Sequence, residues 1–301
     1  MNTLDVGCMS DPTGVAFFPV TTFDEDGELD ERQLRDHVSS TVERAEFSCV
    51  IPLGSVGEFA YLTLAERKRV IEVVVDEVSD DIPVVPGTSA IPTRESVDVT
   101  MFAQRAGAHS VLVTPQSYFP PTEETVFEYY RSLSEKTDIP IWVYNNPSTT
   151  NIDMGTDLVS RLLELEGIDY VKSGTGDMRS FRNLHCRVGD DVPLFAAPPN
   201  MFEKLAFGAH GWSGPIATID PEASVEMFTA FRNGDIVEAR EQFKPWQPLL
   251  DFFDEYPYVA TMKAILNEQG RDVGYPRAPV QPLDGAPRER LRTTLDELDL
   301  R

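Results

Sequence analysis

The chain is poor in the residues that build metal centres and covalent cross-links. Three cysteines, Cys8, Cys49 and Cys186, form no CxxC pair and leave one over from any disulfide framework. That excludes a stapled secreted scaffold and points to reduced, unpaired thiols. Four histidines (His37, His109, His185, His210) stand far apart without an HExxH spacing, so no metal site is expected. No apolar run approaches a membrane span, and the first residues lack a basic-then-apolar leader, so the expectation is a cytoplasmic protein with no membrane partner. Lysine is scarce too: before residue 240 only Lys68, Lys136, Lys172 and Lys204 occur. Acidic residues number 50 against 26 basic ones, a net charge of −24, which argues against nucleic acid or an anionic bilayer as partner. The acids are dispersed, as at Asp24-Glu25-Asp26 and Asp190-Asp191, rather than gathered in a tail. Such a surface suits a salt-rich cytoplasm that screens its self-repulsion, so a halophilic source is expected.

What the chain does contain is a long alternation. Its 301 residues, 41% of them apolar, suffice for one large barrel. Short β-branched runs at 14–20, 48–53, 83–87, 110–114, 140–145, 168–173, 192–196 and 211–216 read as strands. Amphipathic stretches at 30–44, 63–78, 93–106, 122–136, 155–165, 180–188, 200–208 and 224–232 read as helices, the second opened by a Thr63–Glu66 capping box. Eight such pairs favour an α/β fold of the closed (β/α)₈ TIM-barrel type over an open doubly wound sheet. No GxGxxG follows the first strand, and Gly174-Thr175-Gly176 lacks a third glycine, so it reads as a tight turn. Beyond the barrel, taken as 1–234, the alternation stops. Helical stretches at 235–253, 258–268 and 287–298 make 235–301 a C-terminal helical region packed on the barrel or serving an oligomer interface.

In a barrel the chemistry sits where strands end. Those ends are Gly54-Ser55-Val56-Gly57-Glu58, Thr114-Pro115-Gln116-Ser117-Tyr118, Tyr144-Asn145-Asn146-Pro147, Lys172, and Trp212-Ser213-Gly214. A lysine closing an apolar strand either snorkels to solvent or is held buried, where desolvation favours the free amine that attacks carbonyl carbons. A tyrosine at the neighbouring strand end adds a phenolic proton carrier. The glycine-flanked Ser55 offers backbone N–H groups and a hydroxyl suited to a small carboxylate. Trp212 is either core packing or a pocket wall.

Gly-Ser-Val-Gly-Glu at 54–58, Tyr-Asn-Asn-Pro at 144–147, Lys172 at 28 residues from Tyr144, and Thr21-Thr22-Phe23 together resemble the dihydrodipicolinate synthase / N-acetylneuraminate lyase family over about residues 12–300. The resemblance implies a (β/α)₈ barrel with a helical C-terminal region, assembled as a homotetramer or homodimer. It implies class I chemistry without a metal or organic cofactor. Lys172 would form an imine with a 2-oxo acid, pyruvate or a sugar acid, and Tyr144 would move protons. Ser55 would link Tyr144 to a second tyrosine lent by a neighbouring subunit, for which Tyr118 is the candidate. Ser55, Val56, Gly57, Thr149, Trp212 and Ser213 would line the substrate site.

Three departures bear on substrate. Val56 replaces a threonine of the glycine-flanked turn, removing a hydroxyl expected at the carboxylate; one neutral hydrogen bond is worth roughly 0.5–1.5 kcal/mol. Thr149 stands where the synthases carry an arginine for a second carboxylate, and a threonine cannot make that bidentate contact. Ala197-Pro198-Pro199-Asn200 replaces the acidic stretch with which sialic acid lyases hold hydroxyl groups. The expected activity is therefore a 2-keto-3-deoxy sugar acid aldolase or dehydratase. The alternatives are 4-hydroxy-tetrahydrodipicolinate synthase with an altered second-substrate site, and a non-catalytic 2-oxo-acid-binding protein on the same barrel.

Overall fold

The computed structural model describes residues 13–78 and 82–301, and these divide into two compact units. The first holds the residues up to Ala16, Ser48–Val50 and the run that ends at Ser213; the second holds Phe17–Phe47, the run that opens at Ile51, and Gly214–Arg301. Cys8 lies outside the described residues.

The first unit carries a parallel sheet. Its strands are β1 (Gly14–Phe17, whose last residue passes into the second unit), β2 (Cys49–Val50), β3 (Val111–Val113), β4 (Ile141–Asn145), β5 (Ile168–Ser173), β6 (Leu194–Ala196) and β7 (Gly211–Trp212). They pair in the order β2-β1-β7-β6-β5-β4-β3. The two outer strands are joined through residues 83–87, which bridge Val50 to Val84 and Gly87 to Leu112. Val85 donates to Val50 O at 2.8 Å and Thr88 to Leu112 O at 3.0 Å. The sheet thus closes on itself, with an eighth member reduced to two bridges. Pro83 and Pro86 explain the reduction, since neither can donate to a ladder. β7 is shorter than the pattern 211–216 implies, because Gly214-Pro215 starts the helix Pro215–Ile219.

The barrel's inner packing follows from strand alternation. Trp142 stacks on Tyr170 at 4.8 Å and meets Phe195 at 4.7 Å, its indole N–H donating to Ser110 Oγ at 2.9 Å. Gly211 leaves the room: a Cβ there would lie 2.6 Å from the Phe195 ring and 2.5 Å from Gly14 O.

The second unit is helical. Its Leu64–Glu77 helix opens with the expected capping box: Thr63 N–H meets Glu66 Oε2 at 2.7 Å, and Glu66 N–H meets Thr63 Oγ1 at 3.3 Å. The stretch 235–253 is three elements, Ile236–Phe243, a tight turn Lys244–Trp246, and Gln247–Glu255. Pro245 and Pro248 break it, each lacking an N–H for the preceding turn. Tyr258–Glu268 and Gly285–Glu297 follow. Among the described residues no helix is long and apolar enough to cross a membrane.

Candidate active site

Lys172 is the fifth residue of β5, and only 3% of it is exposed. Its register partners are Tyr144 on β4 and Phe195 on β6, so the three side chains share one face of the sheet. The Lys172 Nζ lies 3.7 Å from the centroid of the Tyr144 ring, over its π face. Burial lowers the Lys172 pKa well below that of an ordinary lysine; the charge of Lys204 adds to the drop and the Cys49 thiol opposes it. The amine is therefore disposed to be neutral and nucleophilic. Burial raises the Tyr144 phenol instead, so it stays protonated and able to donate.

The strand ends around the pair are braced. Gly174 N–H bonds Asn145 O at 2.7 Å, and a Cβ on Gly174 would crowd Asn145 O at 3.1 Å and the Tyr144 ring at 3.4 Å. Asn145 Nδ2 reaches Asp153 Oδ1 at 2.8 Å, and Thr175 Oγ1 reaches Asp153 Oδ2 at 3.0 Å, tying the end of β4 to the turn after β5. Thr114 follows β3 one residue beyond the Val113–Val143 pair, level with Tyr144. Its hydroxyl bonds Ser89 Oγ at 2.9 Å and accepts from Gln116 Nε2 at 2.8 Å. Cys49, at the start of β2, is buried, and burial pushes its thiol up to about 12. It is an unreactive neighbour rather than a nucleophile.

The other residues singled out from the sequence fall into two groups. Tyr118 and Phe119 protrude, 80% and 75% exposed, packed edge to face at 4.9 Å. Thr149 is the third residue of the short turn Pro147–Thr150, and its hydroxyl accepts from Asn146 Nδ2 at 2.8 Å. Trp212 is buried and pairs with Ala196, which pairs with Ser173; that row alternates with the row of Lys172. The register thus turns Trp212 away from the face of Lys172 rather than making it a wall beside the amine. Ser213 is buried and continues the ladder through its N–H to Ala196 O at 2.9 Å.

The second unit holds the 54–58 turn. Ser55 is exposed, while Val56 and Gly57 are buried. Gly57 O accepts from Thr21 Oγ1 at 2.6 Å. Glu58, buried with φ at +56°, is held by Lys263 Nζ at 2.8 Å and by the Arg277 N–H at 2.9 Å. Lys263 and Arg277 also lie over the Phe23 ring, at 4.5 Å and 4.2 Å. Glu58 therefore fastens the turn instead of performing acid–base work.

Two buried lysines escaped the sequence reading. Lys204 and Lys263 each sit on a helix whose spacing looks ordinary. The available signal was composition: the chain has six lysines, and three of them are buried.

A parallel barrel with a lysine and a tyrosine side by side at adjacent strand ends is the scaffold of a class I aldolase or lyase. The model of the Dihydrodipicolinate synthetase family matches residues 11–298, and the chain belongs to that family. It is 33% identical to a 4-hydroxy-tetrahydrodipicolinate synthase of Methanothrix thermoacetophila, over 93% of this chain and 94% of that protein. It is 32% identical to a DapA-like lyase of Halobacterium salinarum, over 93% and 92% of the two chains. Among solved structures it matches dihydrodipicolinate synthase from Aquifex aeolicus (TM-score 0.91, 26% identity, 96% and 98% covered). It also matches YagE of E. coli K12, a prophage protein of the same family in complex with pyruvate (TM-score 0.90, 26% identity, 96% and 99% covered). The fold is accordingly the (β/α)₈ barrel with a C-terminal helical region.

Proposed function

We propose that Lys172 forms an imine with a 2-oxo acid of the pyruvate type and that the protein is a 2-keto-3-deoxy sugar acid aldolase or dehydratase. The observation that carries this reading is the buried amine of Lys172 lying over the Tyr144 ring on the adjacent strand. In the condensing direction the Lys172 amine attacks the C2 carbonyl and water leaves. The imine then draws electrons from C3 as that carbon loses a proton, giving an enamine. The enamine carbon attacks an aldehyde, the Tyr144 hydroxyl protonates the alkoxide, and water releases the product. A dehydratase uses the same imine to acidify C3 and expel a hydroxyl. The pyruvate held by YagE, a family member, supports the donor assignment. Ser55, Val56 and Gly57 supply the carboxylate contacts, and Ser213 lines the site. Tyr118, lent with Phe119 to a neighbouring copy, completes the proton path in a homotetramer or homodimer; the exposure of both rings supports this. The acidic composition, shared lineage with a Halobacterium protein and scarcity of lysine support a salt-rich cytoplasm.

A second reading, 4-hydroxy-tetrahydrodipicolinate synthase, is favoured by the identity to the Methanothrix enzyme. Thr149 weighs against it, because its hydroxyl is engaged by Asn146 and offers no charged fork for a second carboxylate. Borohydride reduction with pyruvate at high salt, followed by mass spectrometry, tests the shared step. A stable adduct on Lys172 with loss of activity is expected. Ligand binding without an adduct would sink the lyase reading in favour of a binding protein. A panel scoring pyruvate release from sugar acids, dehydration, and condensation with aspartate semialdehyde separates the enzymes.

A further inference from the structure

Lys204 belongs to the short helix Met201–Ala206, yet none of it is exposed. Its ammonium donates three hydrogen bonds: to Ser173 O at 3.1 Å, Ala197 O at 2.9 Å and Pro199 O at 2.7 Å. An ammonium has three donors, so all are used. Each acceptor is a neutral backbone carbonyl, so the pocket keeps its positive charge. The acceptors are also well placed. Ser173 directly follows Lys172, and Ala197 follows β6, whose Phe195 is the register partner of Lys172. The same two strand ends are joined once by the ladder, through Ala197 N–H to Ser173 O at 2.9 Å. Lys204 adds a second, charged fastening across them.

We propose that Lys204 is a positioning residue for Lys172, a tethered cation that clamps the ends of β5 and β6 through three carbonyls, one of them that of the residue directly after Lys172. The inference rests on the imine-forming role given to Lys172 above. Among the other groups acting on Lys172 are the Cys49 thiol on β2 and the Tyr144 phenol on β4, both raised by burial and so neutral at working pH. The groups acting on Lys204 are Glu203 and Asp153, which favour its charged form, while burial brings it down to about 8. Near neutral pH it therefore remains cationic. A cation beside an amine disfavours a second positive charge there, so Lys204 can set the fraction of Lys172 ready to attack a carbonyl carbon.

The test reads Lys172 directly and needs no substrate. With six lysines, selective ¹³Cε-lysine labelling gives a sparse spectrum, and Lys172→Arg assigns the signal of interest. The titration midpoint of Lys172 is followed in the full chain at fixed high salt. Replacing Lys204 by Met or Ala is expected to raise that midpoint by about one unit, roughly a tenfold loss of neutral amine at neutral pH. Lys204→Arg, which keeps the charge, should stay near the wild-type midpoint, and ethylammonium added to Lys204→Ala should bring the midpoint back down. A Lys204→Met chain that melts cooperatively but leaves the midpoint unmoved overturns the proposal. If the Met and Ala chains do not fold, a full-unit rise in Lys204→Arg overturns it equally. The borohydride experiment separates this from the functional reading. An adduct with an unmoved midpoint defeats the Lys204 role alone, whereas a moved midpoint without an adduct defeats the lyase reading alone.

Discussion

Two buried lysines, one in each unit, are held in opposite ways. Lys263 in the helical unit faces the Glu58 carboxylate, itself held by the Arg277 N–H, and bonds Tyr275 O at 2.8 Å. Lys204 in the barrel unit meets only carbonyl oxygens. Burial brings both down to about 8; a carboxylate in direct contact works against that drop at Lys263, whereas at Lys204 the opposing charges, Glu203 and Asp153, make no ion pair with the ammonium. A lysine matched by a buried carboxylate is spent on structure, because its field closes on its partner. A lysine held by dipoles keeps its charge available to whatever lies beside it. The difference explains how two pockets of similar depth can serve a turn in one unit and a reactive amine in the other.

Substitutions can break this contrast in order of expected size. In the barrel unit, Tyr144→Phe should lower kcat by about 10²–10⁴-fold while the borohydride adduct on Lys172 still forms and the melting temperature is nearly unchanged. In the helical unit, Lys263→Met leaves a buried carboxylate uncompensated and should cost about 3–5 kcal/mol in denaturant unfolding. The Glu58→Gln, Lys263→Met double variant should recover much of that loss, and strict additivity would refute the pairing. Lys204→Met leaves carbonyls without a donor and should cost less, about 1–3 kcal/mol. The smallest effect is one of pH. Lys204 has a folded pKa of about 8, below the ordinary lysine value, so the unfolded chain binds more protons between the two values. Stability should therefore rise with pH from about 8 toward the unfolded lysine value near ~10.4, and this rise should shrink in Lys204→Met when unfolding is compared across that window.

The sequence made the centre of this site legible and its support opaque. Lys172 and Tyr144 were readable because each closes a β-branched run at a strand end, where period and position coincide. Lys204 was not, because Glu203-Lys204 on a short helix has the look of a solvated face. Only the fold turns its side chain under two strand ends. Trp212 erred in the other direction, since position at a strand end does not reveal which face a side chain takes; the register with Ala196 and Ser173 does. The barrel order followed from alternation, but Pro83 and Pro86 reduced one expected strand to two bridges, and Pro245 and Pro248 divided one expected helix. Proline's missing donor was visible in the chain, though not how little ladder would survive beside it.

That ladder, thinned by its two prolines, has a consequence for how the barrel breathes. A closed ring opens first at its thinnest seam, and residues 83–87 are joined to their neighbours by one bridge on each side. β4 and β5 share five register pairs, Tyr144 with Lys172 among them. Thermal opening is thus directed to the far side of β3 from the β4–β5 seam, and the amine and phenol ride on the stretch of wall that yields last.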